Sequence, residues 1–152
     1  YTSLSRIHGE RGELPEELLY AEDAVILARD IASRDATDAG GPEGLNSALL
    51  RLATARTRAG QSDVAQANAR EALDLARGLV AEFPDDLYYE EILFSSLLTL
   101  AESTPGQDDA ACRAAEEAGE LYVAISAGGV SSSLLQERGE VRLPAVLERH
   151  CG

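Results

Sequence analysis

The sequence contains no lysine, methionine or tryptophan, and its aromatic residues are five Tyr and two Phe. Without lysine, the 13 basic residues are all arginine, set against 27 aspartates and glutamates for a formal net charge of −14. A chain so acidic repels phosphate backbones, which argues against direct binding of nucleic acid. No run approaches the roughly 18–20 consecutive apolar residues that span a bilayer. The opening residues Tyr1 to Glu10 lack the charged-then-apolar layout of a signal peptide. A soluble, cytoplasmic protein is expected. Cysteine is scarce too: Cys112 and Cys151 have no metal-ligand spacing and form no disulfide framework, and they read as two reduced thiols.

What is abundant points to helices. Much of the 45% apolar content is Ala and Leu, the strongest helix formers. A single domain of 152 residues buries about two thirds of the surface exposed by its unfolded chain, so neither disulfide nor metal is needed for folding. The missing lysine, with plentiful Ala, Gly, Arg, Asp and Glu, fits a GC-rich, bacterial genome. Because the chain does not begin with Met, it is expected to be a piece of a longer polypeptide.

Three segments align when anchored on Gly12, Gly60 and Gly106, 48 and 46 residues apart. Eight positions before each glycine stand Leu4, Leu52 and Leu98. Twelve after it come Ala24, Ala72 and Ala118; fifteen after, Leu27, Leu75 and Leu121; nineteen after, Ile31, Leu79 and Ile125. Steps of three and four residues place these side chains on one helix face. Each unit therefore predicts a helix, a tight turn at the glycine and a second helix. Glycine suits such a turn because the left-handed conformation past a helix end costs it no Cβ clash. Acids and their neighbours open the following helices: Glu13 and Glu16, Ser62 and Asp63, Asp108 and Asp109. There they cap free amides and complement the helix dipole, which gives much of the negative charge a structural role. Ser33 to Gly44 reads as a loop, Phe83 to Asp86 as a short stop, and Leu143 to Leu147 as an apolar cap.

This pattern resembles the tetratricopeptide repeat. The matching residues are Leu4, Gly12 and Ala24; Leu52, Gly60, Ala65, Ala72 and a displaced Pro84; and Leu98, Gly106, Ala111 and Ala118. The resemblance covers roughly residues 1–127, and the units exceed the usual length of about 34 residues, as in extended bacterial versions. Glu17 stands where the family has a small residue. The resemblance implies an all-α, right-handed α-α superhelix of about three helix hairpins plus a C-terminal capping helix. Its units would be 1–36, 43–86 and 87–127, with 128–152 a cap or degenerate fourth unit.

In that family the first helix of each unit lines a concave groove for a partner peptide or helix. By position the groove would present Thr2, Arg6 and Glu10; Leu50, Thr54 and Arg58; and Ser96, Leu100 and Ser103. Tyr89, in the aromatic pair Tyr88-Tyr89, is added as an interface anchor, since Tyr is enriched at hot spots. The family's Lys and Asn clamp for a C-terminal carboxylate is not matched. The expected partner is a protein or peptide, a basic one in view of the charge, with self-association compatible.

Catalytic candidates are weak. His8 has no evident partner, and His150 adjoins Cys151 at a chain end where mobility is the expectation. Ser131-Ser132-Ser133 follows Gly128-Gly129 but lacks the Gly-Lys-Ser/Thr ending of a phosphate loop, and better suits a helix cap. Glu90-Glu91 and Asp85-Asp86 are adjacent and point to different sides of a helix. Neither metal nor cofactor is expected. The leading reading is a protein-interaction module; the alternatives are a regulatory array within a larger signalling or transcription-regulating ATPase and, remotely, a helical-bundle enzyme.

Overall fold

The computed structural model describes residues 10–34, 40–129 and 132–152, with side chains from residue 15 onward. Its elements are α1 (Glu10–Arg34), α2 (Gly40–Arg58), α3 (Ser62–Glu82), α4 (Leu87–Ser103), α5 (Asp109–Ala127), the short α6 (Ser133–Glu137), a π-helical turn (Arg138–Arg142) and α7 (Leu143–Cys151). Among the described residues there is no strand. Each long helix packs on the next, α2 also touches α4, and α7 returns against α5 and α4. The helices thus form two layers, with α2 and α4 in one and α1, α3 and α5 in the other.

The connections have local causes. Gly60 and Gly106 adopt φ of 77° and 68° in the α2–α3 and α4–α5 turns, the left-handed region that a Cβ disfavours. Asp108 accepts the Ala111 amide at 2.9 Å, Asp86 the Tyr88 amide at 3.0 Å and Ser132 the Leu135 amide at 3.0 Å, so three helices begin on side-chain caps. Helix α3 begins without one, at Gln61.

Two expectations about turns are corrected. Gly12 lies inside α1, with Pro15 also inside it; their local penalties, about 1 kcal/mol for a helical glycine and one amide donor removed by proline, do not break a helix that continues through an Ala-, Leu- and Glu-rich run. The proposed loop from Ser33 is also shorter, because α1 reaches Arg34 and α2 starts at Gly40. Pro42 falls in the first turn of α2, where its missing amide is tolerated.

Each outer helix has two apolar faces. Ala72 and Leu75 join Leu45, Leu49 and Leu52 of the preceding α2, while Leu73 and Ala76 join Leu93, Phe94 and Leu97 of the following α4. In α5, Ala118, Leu121 and Ile125 repeat the first arrangement against α4. The alanines at 65, 69, 72 and 76 are fully buried, and such short side chains permit close approach of helix axes. Asn46 is the polar centre of this packing. Its amide donates to the Ala72 carbonyl at 2.8 Å and the Ser96 hydroxyl at 2.9 Å, joining α2, α3 and α4.

The C-terminal helix is fixed at its far end. Arg149 donates to the carbonyls of Ala101 and Thr104, each at 2.8 Å, satisfying the orphan acceptors at the end of α4. The His150 Nδ1 accepts the Asp108 amide at 3.2 Å, which leaves Nε2 to donate to the Ala101 carbonyl at 2.9 Å. His150 is buried; it is a structural cap, and the mobile chain end anticipated from the sequence is corrected. The reduced-thiol reading is corrected as well, because Cys112 and Cys151 form a disulfide with Cα atoms 5.1 Å apart. The return of α7 along α5 brings together residues 39 positions apart, a proximity that local spacing does not reveal.

Candidate functional site

The inner layer encloses a groove of about 1000 Å³. Helices α2 and α4 supply its two long walls. One end is bounded by Glu17 of α1 and Arg58 of α2, the other by Arg138 and Arg142 of the π-helical turn. Four arginines (51, 58, 138 and 142) and four glutamates (17, 43, 91 and 102) line it. The lining is therefore balanced in charge, in contrast to the chain's −14.

Half of these charges are already matched in ion pairs. Arg58 donates to Glu17 at 2.8 Å, and Arg142 donates to Glu102 through Nε at 2.9 Å and through a second nitrogen. That bidentate pairing holds Arg142 above the ordinary arginine value. Arg138 is different. Its Nη1 donates to the Ser95 hydroxyl at 2.9 Å, a neutral acceptor for one of the five donors of a guanidinium. Burial first, and the neighbouring Arg142 second, push Arg138 below the ordinary value. Glu91, Glu137 and Glu102 act on it in the opposite sense through space, yet a half-buried guanidinium that donates to one neutral hydroxyl keeps capacity for an anionic oxygen.

The π-helical turn explains how both arginines reach this end. Gly139 within it is buried beneath Tyr122, and a Cβ there would lie 2.2 Å from the ring. Tyr122 in turn stacks on Phe94 with ring centroids 5.8 Å apart. The glycine lets the turn press against α5, and the wider π turn directs the residues on either side of it into the groove, in keeping with the frequent placement of π-bulges at functional sites.

Of the residues expected to face a partner, Leu50, Thr54, Arg58 and Ser103 line the groove. Thr2 and Arg6 lie outside the described residues; Glu10 falls in α1, but its side chain lies outside them, as does His8. Ser96 is fully buried beneath Asn46, and Leu100 packs against the core, so neither faces the groove. Tyr89 stacks on Phe83 at 5.0 Å and is held above its ordinary pKa by desolvation and by the hydrogen bond to Glu43. Its neighbour Tyr88 is the one that lines the groove, 57% exposed.

Arg138, Arg142 and Ser95 are the functional candidates that repeat alignment missed. The segment holding both arginines reads as a cap by sequence, and the signal was present only as the i, i+4 spacing of two arginines around Gly139. Elsewhere among the described residues, Cys112, Glu116 and Cys151 bring possible ligand atoms within 4.8 Å of one another, but the two sulfurs are bonded to each other. No described helix is long and apolar enough to cross a membrane. No protein-family model, no curated protein and no solved structure matches the chain.

Proposed function

We propose that the chain is a tetratricopeptide-like interaction module whose groove binds a segment of another protein, and that it works by binding rather than catalysis. The observation that carries this reading is Arg138: half-buried, beside a charge-balanced groove, with the Ser95 hydroxyl as its one hydrogen-bond partner among the described residues. A carboxylate of a partner side chain or chain end would complete its hydrogen bonding, and Tyr88 would pack on the apolar part of the same segment. The groove lining contains neither His nor Cys among the described residues, and half of its charged groups sit in ion pairs, an arrangement suited to recognition. The acceptor that suits Arg138 also refines the partner: the segment in the groove is locally acidic, whatever the charge of the rest of its chain.

The expected cytoplasmic location rested on the missing apolar span and signal-peptide layout, and the reduced thiols were inferred from it. With Cys112 bonded to Cys151, we infer instead a compartment in which disulfides persist.

Panning a random peptide library on the wild-type protein and on Arg138→Gln tests the binding reading. Peptides enriched on the wild type should carry a carboxylate that binding requires, and should bind Arg138→Gln at least tenfold more weakly. Equal binding to both would remove the groove assignment.

A further inference from the structure

Helix α1 carries an uncovered copy of a face that its two repeat equivalents bury. Tyr20, Ala24, Leu27 and Ile31 follow helical spacing along α1 and correspond to Asn68, Ala72, Leu75 and Leu79 in α3 and to Ala114, Ala118, Leu121 and Ile125 in α5. At the last of these positions Leu79 is 2% exposed and Ile125 0%, whereas Ile31 is 53% exposed; Leu27 and Tyr20 are 60% and 68% exposed. The difference lies in the neighbour. The α3 stripe rests on the leucines of the preceding α2, and the α5 stripe on those of the preceding α4. The other face of α1, with Ala21 and Val25, packs on the following α2; no described helix precedes α1.

We propose that this stripe of α1 is a second docking surface, independent of the groove, and that its occupant is an amphipathic helix from a partner segment carrying leucines at the spacing of Leu45, Leu49 and Leu52 and flanked by basic residues. The leucine requirement follows from what covers the equivalent stripes. The basic requirement follows from the edge of the α1 stripe, where Glu16, Asp23 and Asp30 recur every seven residues; of these, Asp30 is paired with Arg34. The same acids disfavour symmetric packing of two copies of α1, since like charges would meet along the seam.

A suitable probe is a synthetic peptide with the sequence of residues 40–58, which bears those three leucines together with Arg51, Arg56 and Arg58 against the single acid Glu43. Fluorescence anisotropy of the labelled peptide should show saturable binding to the full chain. Affinity should fall at least tenfold for Leu27→Asp and for Ile31→Asp, exposed positions whose folding is checked by thermal melting, and stay unchanged for Arg138→Gln. A peptide with all three leucines replaced by serine should not bind. The proposal is overturned if the probe does not bind the wild type or binds both aspartate variants equally. It is also overturned if sedimentation shows a wild-type dimer that Leu27→Asp dissolves, because the occupant is then a second copy. Loss of groove binding in Arg138→Gln with an unchanged probe affinity separates the two surfaces.

Discussion

Arg77 of α3 holds Glu117 of α5 through two hydrogen bonds of 2.8 and 2.9 Å. One repeat earlier, Arg29 of α1 holds Glu71 of α3 by the same bidentate arrangement. Both arginines stand seventeen positions after their anchoring glycine, and both glutamates eleven after theirs. The correspondence is independent of the apolar columns that define the repeat, because it concerns charged residues on the outer surface. It shows that successive outer helices are related by a similar displacement, and it fixes the register of α1 even though Gly12 forms no turn.

These pairs predict an acid-sensitive contribution to stability. Hydrogen bonds from Arg29 and Arg77 hold Glu71 and Glu117 below the usual carboxylate range. A carboxylate whose folded pKa is depressed contributes fully above its unfolded value and loses that contribution as pH falls through the folded one. The urea midpoint should therefore drop as pH is lowered from 6 to 3, and the drop should be smaller in the Glu71→Gln/Glu117→Gln double variant. Both pairs are substantially exposed, so the difference should be only about 0.5 kcal/mol per pair and should shrink in high salt.

Asn46 should be more sensitive than its small size suggests. Replacement by alanine removes buried hydrogen bonds to the Ala72 carbonyl and the Ser96 hydroxyl, for a loss of about 1–3 kcal/mol. The Ser96 hydroxyl retains the Ile92 carbonyl at 2.8 Å as its acceptor. Asn46→Asp should be worse at neutral pH, since it sets a carboxylate against the Ala72 carbonyl, and part of the loss should be recovered in acid. Urea denaturation of both variants at pH 7 and pH 4 measures the difference; equal losses at both pH values would show that the amide's donors are not what matters.

The sequence was informative where one local property decided the outcome. Gly60 and Gly106 mark real turns because a positive φ favours one residue type, and the spacing of Ala72, Leu75 and Leu79 identifies a buried face because helical periodicity is fixed. It was less informative where two neighbours compete for one residue. Ser96 and Leu100 occupy groove positions by family analogy, yet Ser96 is buried against Asn46 of α2 and Leu100 packs on the core built with α3, α5 and α7. Arg138, Arg142 and the Cys112–Cys151 bond depend on the path taken by the chain after Ser132, which no repeat column constrains.

That disulfide should matter to stability. Closing a loop of 39 residues removes about 4 kcal/mol of chain entropy from the unfolded state, which corresponds to roughly 10 °C in melting temperature for a domain of this size. Reductant should lower the melting temperature by that amount in the wild type and leave the Cys112→Ser/Cys151→Ser variant unchanged. The secondary structure should survive in both, because Arg149 and His150 still anchor α7 to the α4–α5 turn. Thermal melts with and without reductant, together with mass spectrometry of the unreduced protein, make the test; identical melts of the wild type would mean that the bond contributes nothing.

Gly139 links core packing to the groove. The 2.2 Å approach of an added Cβ to the Tyr122 ring requires the ring to rotate or the π turn to withdraw, and overpacking of this kind costs about 1–3 kcal/mol. Tyr122 is stacked on Phe94, a fully buried residue, so withdrawal of the turn is the easier response, and it carries Arg138 away from Ser95. Gly139→Ala should therefore destabilise the fold and weaken binding of groove peptides together. The cause can be isolated with a double-mutant cycle: in a Tyr122→Ala background the ring is gone, and Gly139→Ala should cost little in urea denaturation. The same cost in both backgrounds would show that the contact with Tyr122 is not what keeps glycine at this position.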